Sequence, residues 1–245
     1  MARPKITLYL DTISPFAYIA YYILRHDAVF KDVDITYVPI LLGGLIHKCG
    51  GKPPLEIKNK DKWINTERLR WSSHFSVPMT VPLPPSFPPP ASPPLTLTIL
   101  RALVAISQST STTPSLLPKA LDVLLPAYWV DRQPTFDPAV LTAVLADRVF
   151  DGDQAAADRV VQQDARTSQV KQLLVANTER AYEDGAFGVP WMVCTDREGR
   201  SEGFWGVDHL GQVARFLGLE VPGGGSGSGS GSGSQTATGG WKAVL

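Results

Sequence analysis

A serine–proline pair at the end of the first apolar stretch is where this sequence first offers chemistry. In KITLYLDTISPFAYIAYYILR, from Lys5 to Arg25, Ile6, Leu8 and Leu10 alternate with Thr7, Tyr9 and Asp11, the two-residue period of a strand. Beyond Ser14-Pro15 the period changes: Phe16, Ile19, Tyr22 and Ile23 recur at helical spacing, with small Ala17 and Ala20 between them. Proline suits the first turn of a helix, where its missing N–H would have no partner, so Ser14 falls at the N-cap. A hydroxyl held beside unpaired N–H groups, at the positive end of a helix dipole, is equipped to stabilise an anion; the alternative is that it only caps its helix. The other reactive residue types are scattered. Cys49 and Cys194 lie far apart and form no CxxC or metal-ligand spacing, and His26, His47, His74 and His209 show no paired metal spacing. Cys49 sits in a glycine-rich loop, where a lone thiol is usually incidental.

The elements that must position Ser14 begin with a strand–helix–strand unit. Val33, Ile35, Tyr37 and Pro39 alternate with Asp34, Thr36 and Val38, so DVDITYVPILL predicts a second strand, parallel to the first, with a right-handed crossover between them. From Leu45 to about Gly185 the pattern differs. GGLIHKCGGKPPLEIKNKDKW reads as a Gly-, Pro- and Lys-rich loop, and NTERLRWSSHF as a short helix with Thr66 as its cap and Leu69 buried. VPMTVPLPPSFPPPASPP reads as extended linker or surface loop. LTLTILRALVAI, SLLPKALDVLLPAYWV, FDPAVLTAVLADRVF and AAADRVVQQDARTSQVKQLLVANTERAYEDG all carry helical apolar spacing, about five helices in all with no convincing strand among them. Alternation returns at Trp191, Val193 and Thr195, and the charged turn DREGR leads to a short strand at Glu202 to Trp205, a hairpin. Leu210, Val213, Phe216 and Leu217 then form one helical stripe, stopped by Gly218.

The expected architecture is therefore α/β: βαβ at the start and ββα at the end, with an all-helical insertion between. The boundaries are 1–44 and 185–222 for the sheet-bearing domain, 45–184 for the helical insertion with its proline-rich loop, and 223–245 for a Gly/Ser linker and tail. GGGSGSGSGSGS has no core-forming residue; the lone Trp241 beyond it either docks somewhere or, as is expected, lies in a mobile terminus.

Composition narrows the function classes. Lys plus Arg and Asp plus Glu are 23 each in 245 residues, a net charge of zero, so no basic excess exists to neutralise nucleic-acid phosphates or to favour a membrane surface. No run approaches the roughly 18 apolar residues of a membrane span. MARPKITLYL runs almost directly into the first strand, too short for a secretory signal or an ordinary transit peptide. With the two separated cysteines, an intracellular, reducing setting fits best.

Four segments, read together, carry a resemblance: Ser14-Pro15-Phe16 after strand one, GGKPP at Gly50 to Pro54, GAFGVP at Gly185 to Pro190, and WGVDHL at Trp205 to Leu210. With the element order, they resemble the kappa-class glutathione transferases and the related 2-hydroxychromene-2-carboxylate isomerases, members of the DsbA-like thioredoxin fold, from about Ile6 to Gly218. The resemblance implies a thioredoxin-like fold in which a cis Val189–Pro190 bond faces the mouth of the first helix, and in which the Val189 backbone pairs, strand-like, with bound glutathione. It implies that the N–H groups at Gly206-Val207-Asp208 receive the γ-glutamyl carboxylate and that Asp208 holds its ammonium. Pro15 and Phe16 flank the thiol, Lys52 and Lys60 lie in the loop over the site, and Lys60 meets a glutathione carboxylate. Two positions depart from the family pattern: Gly51 stands where Asn is usual, and Phe16 where Tyr is commoner, with Tyr18 or Trp191 as compensating groups. Trp71 and Trp129 are candidates for a hydrophobic electrophile pocket.

Ser14 then has a defined task. A free thiol has a pKa of about 8.5, and lowering it by about 2 units requires roughly 2.7 kcal/mol of preferential anion stabilisation. A hydroxyl hydrogen bond to a thiolate contributes about 1.5–3 kcal/mol and a helix end up to about 1 more, so no general base is required. The substrate's own sulfur is the nucleophile. A disulfide-exchange centre would need CxxC, where this chain has Ser14-Pro15-Phe16-Ala17. The leading reading is a transferase conjugating glutathione, as co-substrate, to hydrophobic electrophiles, with no metal. The alternatives are a glutathione-dependent isomerase and a non-catalytic thioredoxin-like module. The resemblance also implies a homodimer in mitochondria, peroxisomes or bacterial cytoplasm.

Overall fold

Strand β1, Lys5–Leu10, is the axis around which the sheet is assembled in the computed structural model, which describes residues 2–84, 96–108, 115–222 and Trp241. Strand β2, Asp34–Pro39, lies parallel to it, with Ile6 opposite Ile35 and Leu10 opposite Pro39. Strand β3, Trp191–Thr195, lies antiparallel on the other side with Tyr9 opposite Trp191, and β4, Ser201–Trp205, continues the hairpin. The order across the sheet is β2-β1-β3-β4. Helix α1, Pro15–His26, makes the crossover that a parallel pair requires. The hairpin closes on Asp196, whose carboxylate accepts from the N–H groups of Glu198 and Arg200 and from the Arg200 guanidinium.

Ile6, Leu8 and Leu10 are buried as their alternation predicts, but Tyr9 and Asp11, expected on the other face, are buried as well. Helices cover both faces at this end of β1. The Tyr9 hydroxyl is accommodated by donating to the Asp184 carboxylate.

Between β2 and β3 every described element is helical: α2 (Leu42–Lys48), α3 (Lys60–His74), α4 (Leu97–Gln108), α5 (Leu116–Trp129), α6 (Pro138–Arg148), α7 (Gln154–Asp158) and α8 (Ser168–Glu183). A π turn at Arg159–Gln163 and a 3-10 turn at Asp164–Arg166 separate α7 from α8, which starts afresh where the Thr167 hydroxyl accepts from Val170 N–H. One apolar core runs from the sheet (Ile6, Leu8, Met192) through α1 (Ile19, Ile23) to Leu103 of α4 and Leu121 of α5. A 3-10 turn at Val207–His209 leads into the last helix, α9, Leu210–Phe216, and Gly218 follows with φ +65°. Most of the expected proline-rich loop and the Gly/Ser segment lie outside the described residues.

Three expectations are corrected. GGLIHK, expected as loop, is helix α2: Gly43 and Gly44 argue against a helix locally, but long-range bonds hold its start. Leu41 N–H donates to Thr178 Oγ1, and Leu42 N–H to Asp11 Oδ2. Helix α3 begins at Lys60, so Thr66 is an interior residue whose hydroxyl bonds the Lys62 carbonyl rather than a cap. Leu69 is only half-buried; the covered face carries Ile64, Arg68 and Ser72. Arg68 is fully covered because its guanidinium donates to Asn65 Oδ1 and to the carbonyls of Thr80 and Val81; burial among these neutral acceptors lowers its pKa. Finally, the Trp241 side chain docks on the body. Its indole is fully buried and donates to Asp27 Oδ2 at 3.1 Å, an aromatic side chain whose burial and N–H bond favour docking.

The Trp191 ring crosses Gly203 so closely that a Cβ there would stand 2.5 Å from Trp191 Cζ2. Gly203→Ala is expected to destabilise the fold by about 1–3 kcal/mol through overpacking, read as a lower urea midpoint with an unchanged m-value.

Candidate functional site

Ser14 occupies the N-cap of α1 with extended backbone (φ −87°, ψ 117°), and its Oγ accepts from Ala17 N–H at 3.2 Å. Pro15 follows at N1, so the cap is built as the sequence predicts. The residue is 6% exposed. Since a hydroxyl oxygen can accept while its proton donates elsewhere, the bond from Ala17 leaves the Ser14 O–H free to point at an anion.

The turn that presents Ser14 is organised by Asp11, to which the sequence reading assigned no task. Ser14 N–H donates to the Asp11 carbonyl at 3.1 Å. Asp11 Oδ1 accepts from Ile13 N–H at 3.2 Å, and Oδ2 accepts from Leu42 N–H at 3.0 Å and the Thr96 hydroxyl at 3.3 Å. One carboxyl thus ties the Ser14 turn to the start of α2 and to the residue preceding α4. Burial raises its pKa to about 6, against these hydrogen bonds, which lower it. Thr12 is held from a further side, its carbonyl accepting from Trp129 Nε1 at 3.0 Å.

The other site candidates come to the same end of the sheet. The Val189–Pro190 bond is cis. Because Tyr9 pairs with Trp191, this bond stands beside the end of β1, from which the chain leads to Ser14. Gly206 N–H donates to the Pro190 carbonyl at 3.0 Å, which attaches the Gly206-Val207-Asp208 turn to the same place. Val207–His209 packs against α1. Gly206 has φ +88°, and a Cβ would lie 2.3 Å from Asp208 Oδ1, so only glycine serves there. The Asp208 side chain caps nothing; it is exposed and pairs with His209 Nδ1 at 3.5 Å. Among the described residues no hydrogen bond occupies the backbone of Val189, which is itself 7% exposed.

Gly51 and Lys60 approach from the α2–α3 segment. Gly51 is exposed, its N–H bonded to the Ile46 carbonyl, and Cys49 Sγ contacts the Ala186 carbonyl at 3.6 Å, joining this loop to the turn before Val189. Lys60 opens α3, whose first turn rests on α1 through Trp63 against Phe16, ring centroids 6.2 Å apart. Lys52 stays in the exposed loop. Trp63 is thus the contact that seats the first turn of α3 on the first turn of α1; it is 54% exposed.

Two supporting roles considered from the sequence are filled differently. Tyr18 cannot replace a hydroxyl at Phe16, since its O–H donates to the Pro78 carbonyl at 2.9 Å. Trp129 is fully buried and braces the Ser14 turn rather than lining an open pocket. Beside it lies a cavity of about 10 Å³, lined by Thr12, Ile13, Thr96, Tyr128 and Thr135 among others, room for about one water. Trp71 stacks on Phe75, centroids 6.4 Å apart. Cys194 is buried, which pushes its thiol up to about 12 and keeps it protonated. Among the described residues no group of His, Cys, Asp and Glu gathers as a metal site would, and no helix is long and apolar enough to cross a membrane.

With this geometry in place, the comparisons with known proteins give the class. A family model for the DSBA-like thioredoxin domain matches residues 5–218. Glutathione S-transferase kappa 2 of Caenorhabditis elegans is 30% identical over 219 residues, covering 88% of this chain and 92% of the relative. Human glutathione S-transferase kappa 1 is 24% identical over 213 residues, 87% of this chain and 90% of the relative. The solved structure of a 2-hydroxychromene-2-carboxylate isomerase superposes with a TM-score of 0.65 at 20% identity, covering 87% of this chain and 94% of that one. The chain belongs to the DsbA-like thioredoxin family and, within it, to the kappa group of glutathione S-transferases.

Asp11 gives a pH signature. Its folded pKa of about 6 lies above the ordinary 3.8, so the folded chain binds the extra proton. The group's contribution to stability is complete below the unfolded pKa and is lost as pH rises through the folded one. The melting-temperature advantage of wild type over Asp11→Asn is therefore expected to shrink between about pH 4 and pH 7, by up to about 3 kcal/mol of stability. A pH-independent difference would show that the carboxyl titrates normally.

Proposed function

We propose that this protein conjugates glutathione to hydrophobic electrophiles and that Ser14 stabilises the glutathione thiolate. The observation that carries the reading is the buried Ser14 cap, whose oxygen already accepts from Ala17 N–H and whose proton is therefore available to a sulfur anion. Glutathione lies across the backbone of Val189, with Pro15 and Phe16 beside its sulfur. Its γ-glutamyl carboxylate faces Val207 and its ammonium faces Asp208, which has no capping duty to compete with that task. Lys60 and the Gly51 loop complete the site at the opposite end of the tripeptide. In the reaction, the thiolate attacks the electrophilic carbon and the leaving group departs with the electron pair of the broken bond. The thiol proton goes to solvent beforehand, and Ser14 acts as a donor throughout rather than as a base.

As part of this reading, the electrophile binds where a thioredoxin-like domain (1–44 and 185–222) meets a helical insertion (45–184). The likeness to kappa transferases supports, as part of the same proposal, a homodimer in an intracellular compartment: mitochondrial, peroxisomal or cytoplasmic.

Ser14→Ala is expected to lower kcat/KM for a model aryl halide by about 10- to 100-fold, the value of one hydrogen bond to a charged group. Glutathione affinity should change little. Retained turnover in Ser14→Ala would overturn the assignment, and isomerisation of a conjugated substrate without a conjugate would turn the reading toward the isomerase branch. Gly51→Asn restores the side chain usual in the family. Its Cβ would stand an ordinary 3.4 Å from Ile46, so the variant is expected to fold normally and to lower KM for glutathione by about two- to tenfold through one added hydrogen bond.

A further inference from the structure

The segment KDKWINTERLRWSSH that forms α3 is strongly polar, and its covered positions are Ile64, Arg68 and Ser72. A helix with so narrow an apolar face is held to a protein body only weakly by burial. Its attachments are instead discrete: the Arg68 guanidinium bonds the Thr80 and Val81 carbonyls at mid-helix, and an aromatic contact fastens each end. At the first turn, Trp63 meets Phe16 of α1. At the far end, the C-cap residue Phe75 meets the Trp241 indole edge to face, centroids 5.6 Å apart and planes at 90°. Helix α1 is bracketed the same way. Phe16 lies in its first turn, Asp27 is its C-cap, and Phe30 lies in the 3-10 turn that follows. The two helices therefore run side by side with like ends together.

Trp241 joins the far ends. Its ring lies 5.8 Å from Phe30, and its Nε1 donates to Asp27 Oδ2. The receiving carboxylate is oriented in advance, because Asp27 Oδ1 already accepts from Val29 N–H at 2.9 Å. An apolar floor, a perpendicular aromatic wall and one pre-placed acceptor match an indole in both shape and hydrogen bonding, and the indole is wholly covered.

We propose that the pocket formed by Asp27, Phe30 and Phe75 is a recognition site for the Trp241 indole, and that this clasp sets where the first turn of α3, with Lys60, stands relative to Ser14. The second half rests on the glutathione reading above. Helix α3 spans about 22 Å and transmits as a rigid element, so freeing Phe75 at one end shifts Lys60 at the other. Trp241 is then a positioning residue that touches no substrate.

The test uses the full chain. In Trp241→Ala, amide hydrogen exchange across residues 60–74 is expected to rise, and KM for glutathione to increase roughly fivefold or more, in the range usual for coupled sites, while kcat stays within about twofold. Trp241→Phe, which keeps a ring and removes the donor, should fall between. The peptide QTATGGWKAVL added to the Trp241→Ala chain should lower both exchange and KM again; millimolar peptide is appropriate, since a tethered partner acts at an effective concentration on the order of millimolar. Unchanged exchange in α3 would overturn the clasp, whether or not the protein turns glutathione over. Raised exchange with an unchanged KM would overturn its positioning role. A wild type inactive with glutathione, but with α3 exchange still dependent on Trp241, would sink the transferase reading and leave the clasp standing.

Discussion

A single buried carboxyl holds the site end of this molecule together. Asp11 leaves β1 into a region covered on both sides, where a charge is costly, and it persists there because each of its oxygens has work. It bonds the turn ahead of Ser14 through Ile13, the first turn of α2 through Leu42, and the approach to α4 through Thr96. The segments it joins come from distant parts of the chain. Removing it would leave buried N–H groups without acceptors, which is where the largest local penalties arise.

From that knot the logic of the site is one of backbone ends rather than of an assembled set of acids and bases. Ser14 caps α1, Val189–Pro190 closes against the end of β1, and Gly206 hangs the last turn on the Pro190 carbonyl. Each contributes N–H donors or a hydroxyl, the groups suited to binding a peptide and steadying an anion. The helix mouth has no thiol pair, with Ser14 and Ala17 at its two positions, and Cys194 is buried and protonated. The mouth of α1 therefore carries a hydroxyl, that of Ser14, where an exchange centre would carry a thiol.

Much of this was legible in the residues. The change of period at Ser14-Pro15, the alternation of β2 and β3, and the helical spacing of α4 to α6 each reflect one local rule, and the structure follows them. The misreadings share a cause as well. Helix α2 contains Gly43 and Gly44 and is held by bonds from Asp11 and Thr178, neither of them near it in sequence. Helix α3 buries an arginine on carbonyls supplied by Thr80 and Val81, so its covered face carries no apolar stripe to be seen. Trp241, alone in a polar tail, finds its partners in Asp27, Phe30 and Phe75.

The sequence by itself determined the period of each main element, the cap that presents Ser14, and the absence of a CxxC pair, because these depend on neighbours a few residues apart. Only the tertiary structure decided that Asp11 is buried and tethered, that α2 is a helix, and that an indole near the far end of the chain joins α1 to α3. Those outcomes turn on hydrogen bonds and burial between segments up to some two hundred residues apart, where no periodicity connects the partners and only packing brings them within reach.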